Sequence, residues 1–136
     1  MILSEIEIPT RGPGLVEFTD RARDGLPARD GLLTLFVRHT SCSILVQENA
    51  DPDVRRDLQA WAERLVPHAD DPGMTFLRHR AEGPDDMPAH IRAAHLPVSL
   101  SIPVMAGRPL LGTWQGIYLW EHRSRPHLRR VARHFA

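Results

Sequence analysis

The sequence predicts a single-domain α+β protein, mostly antiparallel, with two or three short helices. Short apolar or alternating runs outnumber helix-spaced ones, and the connections between them are mostly short, which favours antiparallel pairing over alternating βαβ units. A length of 136 residues is that of one domain, so residues 1–136 are expected to share one core. With 42% apolar residues that core needs no disulfide or metal staple, and a metal here would serve chemistry rather than folding.

The elements follow in order. Ile6 and Ile8 flank Glu7 with period two until Pro9, and Leu15–Phe18 is the expected hairpin partner. Residues 19–24 allow one helical turn before Gly25. Residues 31–38 are almost continuously apolar and read as a central strand buried on both faces; residues 43–47 read as a second such strand. Only His39-Thr40-Ser41-Cys42 separates the two, as a tight turn, a bulge or the bend of one long strand. Asp51-Pro52 then opens a helix, because Asp caps well and Pro suits the first helical position. Val54, Leu58, Trp61 and Leu65 mark its apolar face, Pro67 ends it, and residues 68–73 form a polar loop. A second start at Asp85-Asp86-Met87-Pro88 leads a short helix to about Ala94, broken by Pro97. Residues 98–104 form a strand, Gly107-Arg108-Pro109 a turn, and residues 110–121 a long strand. In that strand Gly112 and Gly116 suggest a close backbone approach or a bend. The tail, residues 127–135, is an edge strand or a short helix.

Composition narrows the function. Seventeen basic and seventeen acidic residues cancel, which argues against a nucleic-acid footprint. All the basic residues are Arg, the better bidentate partner for phosphate or carboxylate, although genomic base composition is the plainer explanation. The single Cys42 allows no internal disulfide, and the N-terminus alternates like a strand rather than a signal peptide. No apolar stretch approaches the ~20 residues of a membrane span. A cytoplasmic protein with no membrane partner is the expectation.

Chemistry is expected where polar residues sit in unusual places. His39 ends an apolar strand, a rigid mount of the kind a metal ligand or proton carrier requires, although a turn histidine often does no more than satisfy its turn. Glu48, Asn49 and Asp51 converge on a helix start, whose unpaired N–H groups suit an anion; Asp51 is equally well read as the cap alone. The run from His79 to His90 is densest, with two histidines, several carboxylates and another helix start. A solvated loop before a capped helix is the plainer reading. Adjacent Asp85 and Asp86 repel unless a cation, an arginine or water lies between, and Asp86 and His90 share one side of the helix. Three imidazoles with an open position suit zinc or another divalent ion that activates water or polarises a carbonyl. Gln115 and Glu121 fall on a largely apolar strand face, as bonded core residues or as site residues. Cys42 reads as a small buried residue rather than a nucleophile.

The runs His39-Thr40-Ser41-Cys42-Ser43, Glu48-Asn49-Ala50-Asp51-Pro52, Glu82-Gly83-Pro84-Asp85-Asp86-Met87-Pro88-Ala89-His90 and Gly112-Thr113-Trp114-Gln115-Gly116, followed by Glu121-His122-Arg123, resemble the YjbQ family. The resemblance extends from about residue 31 to 130. It implies a compact α+β fold with a β-sandwich-like sheet arrangement, a homotrimer, and a site where His39, His79 and His90 gather around a metal. The family has been called secondary thiamine-phosphate synthase, which implies joining a hydroxymethylpyrimidine diphosphate to a thiazole phosphate. Cys42, Gln47 and Pro97 depart from the residues usual at those positions, and the segment between Thr19 and Gly31 is shorter than the family's usual helix.

The expectation is therefore a metal-assisted enzyme acting on a small phosphorylated molecule. His39, His79 and His90 hold the ion, and Glu48 or Asp86 serves as general acid/base. Asn49, Asp51, Asp85, Gln115 and Glu121 contact substrate. Zinc suits the histidines, whereas magnesium suits a diphosphate substrate. The alternatives are a zinc-type hydrolase or lyase, and a non-catalytic trimeric protein that binds a metal or small ligand.

Overall fold

A computed structural model describes residues 1–136. The strands are β1 (Ile2–Pro9), β2 (Gly14–Glu17), β3 (Gly31–Val37), β4 (Cys42–Glu48), β5 (Ser99–Met105), β6 (Arg108–Pro109), β7 (Gln115–Glu121) and β8 (Leu128–Phe135). The helices are α1 (Thr19–Arg23), α2 (Pro52–Leu65) and α3 (Asp86–His95), with one 3₁₀ turn at Pro72–Met74. The strands form two antiparallel sheets, of order β1-β8-β3-β5-β6 and β2-β7-β4. One buried cluster joins them. Leu33, Leu35, Ile102 and Val131 of the larger sheet pack in it with Ile44, Ile117 and Leu119 of the smaller, so the expected α+β sandwich is observed. No helix is long and apolar enough to cross a membrane.

Several local expectations change once the sheets are known. β1 and β2 do not form a hairpin: β1 pairs with β8 and β2 with β7, so the chain crosses between sheets after Pro9. Residues 38–41 likewise cross from β3 to β4 rather than fold one strand back on itself. β3 is central, but Leu33, Leu35 and Val37 face the core while Leu32 and Phe36 face outward, because the larger sheet is covered on one side. The tail is a strand, and β8 lies between β1 and β3 instead of at the edge. Residues 110–114 are a loop, and regular pairing of β7 begins only at Gln115.

α2 covers the outer face of the smaller sheet. Asp51 caps it by accepting from the Asp53 N–H at 2.9 Å, with Pro52 in the first turn. Trp120 Nε1 donates to Gln59 Oε1 at 2.7 Å, and Arg55 reaches the Tyr118 hydroxyl at 3.3 Å. The buried side of α2 centres on Ala62 and continues to Val66, which leaves Trp61 and Leu65 half exposed rather than in the core. The close approach suggested at Gly116 is real: a Cβ there would sit 2.7 Å from Glu17 Oε2 and 3.2 Å from Asn49 Cβ.

Candidate metal centre

The segment between α2 and α3 has its own small core of Val66, Ala69, Met74 and Leu77, against which Met87 and Ile91 of α3 pack. Arg80 fixes its course by donating to three carbonyls, those of Leu77 (3.1 Å), Ala69 (2.9 Å) and Met74 (3.2 Å). Gly83, at φ +101°, makes a turn that L side chains resist, and delivers the chain to the start of α3. His79 and Glu82 therefore come from a tethered loop, while Asp86 and His90 stand one turn apart on the helix.

These four residues converge. One ligand atom from each of His79, Glu82, Asp86 and His90 lies within 4.8 Å of the others. Asp86 is the hub. Its Oδ2 faces His79 Nε2 at 2.7 Å and His90 Nε2 at 3.2 Å, while its Oδ1 accepts from Arg123 Nη1 at 2.7 Å. Burial alone would raise its pKa, but the His79 hydrogen bond, the His90 charge, Glu82 and Arg123 outweigh it and hold the carboxyl below its usual value. Asp85 is held down in the same way: the Ser124 N–H and Arg123 outweigh the penalty of burial. The repulsion expected between Asp85 and Asp86 is thus relieved by an arginine. Arg123 donates to both, and also to the Glu82 carbonyl at 3.1 Å.

The donor set fits a divalent ion. His90 Nδ1 lies 2.9 Å from the Thr40 carbonyl, which can only accept, so Nδ1 carries a proton. In the neutral ring Nε2 is then a lone pair, and it faces a carboxylate oxygen. Two acceptors at that distance need a proton or a cation between them. Such a carbonyl-oriented imidazole is a common arrangement around bound metals.

The structure does not bring the other expected residues to this point. His39 lies outside the group, because its Nε2 accepts the Arg130 N–H of β8 at 2.7 Å. Burial and the nearby Arg129 and Arg130 hold its imidazole below its usual pKa despite Glu121, which suits an accepting role. It lines a recess of about 360 Å³ with His90, beside Phe36 and Ala93. Glu121 is fully buried. It binds Arg129 through both carboxylate oxygens, accepts from Thr10 Oγ1 at 2.6 Å and from the His122 and Arg123 amides, and has no oxygen left for a substrate. Asp51 is engaged as the α2 cap, and Asp85 by Arg123.

Glu48 pairs with Gln115 at one end of the smaller sheet, whereas Cys42 pairs with Glu121 at the other. Six strand steps separate those ends, roughly 20 Å. Asn49 and Gln115 line a cleft of about 890 Å³ at the far end, with Glu17, Arg23 and Arg108. Glu48 can therefore carry no proton to or from the histidine cluster within one chain. Two participants lie outside the predicted site set. Glu82 stands four residues before Asp86, in the same run of sequence, and its spacing is the signal that points to it. Arg123 is the cation that the paired aspartates require.

Two antiparallel sheets on one core, with imidazoles and carboxylates gathered at a helix start, define a single-domain α+β protein with a candidate metal centre. The chain belongs to the YjbQ-like UPF0047 family, which it matches over residues 4–136. It is 49% identical over 130 residues to a UPF0047 protein of Synechocystis sp., covering 93% of this chain and 86% of that one. It is 44% identical over 115 residues to the UPF0047 protein YjbQ of Salmonella typhimurium, covering 85% and 80%. Among solved structures, a conserved hypothetical protein from Thermus thermophilus superposes with a TM-score of 0.85 at 32% identity, over 98% of this chain and 99% of that one.

Proposed function

We propose that this protein is a metal-dependent enzyme in which His79, His90 and Asp86 hold a zinc ion and Glu82 transfers protons. The observation that carries this reading is the convergence of His79 Nε2 and His90 Nε2 on one oxygen of a buried, ionised carboxylate. Two imidazoles and a carboxylate with an open position suit zinc in a catalytic role, and suit magnesium poorly. When bound, the ion supplies Lewis acidity towards water or a phosphate oxygen. Asp86, pinned through Oδ1 by Arg123, stays ionised and orients both rings. Glu82 is exposed and within reach of the same point, so proton transfer falls to it rather than to Glu48 or Asp86. Without a cation, Glu82, Asp85 and Asp86 repel phosphate, so a small phosphorylated substrate depends on the metal.

The ligand set favours hydrolysis or elimination over the thiamine-phosphate transfer that the family resemblance implies. That transfer releases a diphosphate, a task for magnesium. Assembly as a homotrimer in the cytoplasm belongs to the same proposal; exposed Phe76, Leu110 and Trp114 supply apolar area for contacts between copies. The test is to load metal-free protein with zinc or magnesium. Turnover is then followed on phosphate monoesters, and on hydroxymethylpyrimidine diphosphate with thiazole phosphate. The proposal expects zinc to restore monoester turnover, and Glu82→Gln to keep the zinc but lose the turnover. Turnover restored by magnesium alone, on the paired substrates, would overturn it in favour of the transferase.

A further inference from the structure

α3 carries a second feature, on the side away from its metal-facing residues. Ile91, Arg92 and His95 turn towards α2, and with Trp61, Leu65 and Leu96 they line a groove of about 380 Å³ between the two helices. That volume is at the small end of the ~300–1,000 Å³ typical of small-ligand sites. The lining is apolar except for Arg92 and His95. Trp61 and Leu65 stand at its border, half exposed.

Arg92 is the anomaly. It is only 4% exposed, yet no carboxylate lies within ion-pair distance of it. Nη2 donates to the Val66 carbonyl at 2.7 Å, which ties α3 to the end of α2, and Nε has no partner at all. Glu63 is near enough to favour the charge but is not paired with it, and its Oε1 takes the Gln59 amide. A guanidinium has five N–H donors in a planar fork. A buried cation with so few partners is costly, and a methionine could fill the same space without that cost. The lone carbonyl contact accounts for the tie between the helices but not for the charge.

We infer that the groove between α2 and α3 binds an amphiphilic monocarboxylate, with its carboxylate at Arg92 and its apolar body against Trp61, Leu65, Ile91 and Leu96. Charge complementarity selects the anion, since Arg92 is a buried cation without an ion-pair partner, in a wall whose one other polar side chain is His95. Guanidinium and carboxylate match in fork geometry. The small volume selects a short chain or a single ring rather than a peptide or a long lipid. The site is separate from the metal centre and needs no metal.

Octanoate is a suitable probe, and Trp61 at the groove border a built-in reporter. Full-length protein treated with chelator is titrated with octanoate, octanol and octylammonium, by calorimetry and by tryptophan emission. The expected result is saturable octanoate binding at one site per chain, at least roughly tenfold tighter than octanol, the scale of one charge-assisted hydrogen bond. Octylammonium should not bind. Arg92→Met should reduce octanoate to the level of octanol. Because that variant alters a buried residue, Leu65→Glu provides a second test: it changes an exposed position, should fold normally, and should weaken octanoate by placing a like charge at the border. Trp61→Phe should lose the emission change but keep the calorimetric signal. Equal binding of octanol and octanoate, unchanged binding in both Arg92→Met and Leu65→Glu, or no binding because copies of the chain cover the groove would overturn the inference.

Discussion

Arg123 and Asp86 are joined through a single oxygen: Arg123 Nη1 donates to Asp86 Oδ1 at 2.7 Å, which leaves Oδ2 to the two imidazoles. The side chain of Asp86 is 2% exposed and that of Arg123 16%, so the contact is shielded from water and salt. Arg123 also holds Asp85 and the Glu82 carbonyl, and so gathers the start of α3 and the preceding loop around one cation. Burial works against its charge, but Asp85, Asp86 and Glu82 outweigh it and raise its pKa further. Arg123 is therefore a positioning residue. Arg123→Met is expected to weaken zinc binding about 10–100-fold, the usual effect of losing an outer partner of a ligand, with His79 and His90 intact. Competition with a chromophoric chelator measures it.

Metal and proton should compete for the same place. His90 Nε2 faces Asp86 Oδ2 with a proton or a cation between them, so zinc binding is expected to release protons and to tighten as pH rises. Calorimetry in buffers of differing ionisation enthalpy counts the protons directly. Measured at a pH below about 6, where free imidazoles are largely protonated, binding that released none would mean the imidazoles do not coordinate.

Asp51 separates capping from substrate contact. Its carboxylate accepts the Asp53 N–H at the start of α2, far along the sheet from the histidines. Asp51→Ala should cost about 1 kcal/mol of stability, the usual value of a lost cap, and leave zinc affinity unchanged. Denaturant unfolding and a metal titration on the same preparation check both halves.

The buried pair Glu121–Arg129 predicts a larger effect. Burial alone would raise the Glu121 pKa, but Arg129, Thr10 and the Arg123 amide hold it below its usual value, so it stays ionised. Glu121→Leu should destabilise by about 3–5 kcal/mol, because Arg129 is left charged and unpaired in the core. Urea unfolding midpoints report the loss.

His122 makes the broadest contribution to acid sensitivity. It is buried, it shares one hydrogen bond between Nε2 and Ser43 Oγ at 2.8 Å, and its Nδ1 has no partner. Burial first, then Arg92 and Arg129, push its pKa down to about 3 despite Glu121. The unfolded imidazole takes up a proton as pH falls below about 6.5, while the folded one stays neutral down to about 3. Stability is therefore lost across that window as pH falls, by up to about 1.4 kcal/mol per pH unit. His39, also held below its usual value, acts in the same direction just below 6.5. Glu121, Asp85 and Asp86, whose folded pKa values are depressed, do so only below their usual values of 4.5, 3.8 and 3.8. Relative to the native chain, His122→Gln should flatten the stability curve between pH 6.5 and 4.5, measured in chelator so that metal loss does not contribute.

Local pattern made the metal-facing helix legible. Asp86 and His90 are four apart after a strong helix start, and His79 lies seven residues before Asp86 in the same polar run. The α2 cap and the antiparallel α+β class were legible for the same reason, whereas the sandwich arrangement came with the family resemblance. What remained hidden depends on long-range pairing. His39 gives its Nε2 to a β8 amide 91 residues away, and β8 reads as an edge or a helix until β1 and β3 are seen to flank it. Glu48 and Gln115 belong to the same set of motifs as the histidines, but the β4–β7 register carries them to the opposite end of the sheet. Trp61 and Leu65 have the spacing of core residues, yet α2 rolls its buried side towards Ala62.

The most direct measurement is the zinc content of the native chain and of His79→Ala, His90→Ala, Asp86→Ala and His39→Ala, each purified without chelator or nickel and dialysed against equal free zinc. One zinc per chain in the native protein and in His39→Ala, with loss in the other three, is the expected result. Loss in His39→Ala with retention in His79→Ala, or no zinc in the native chain, would contradict it.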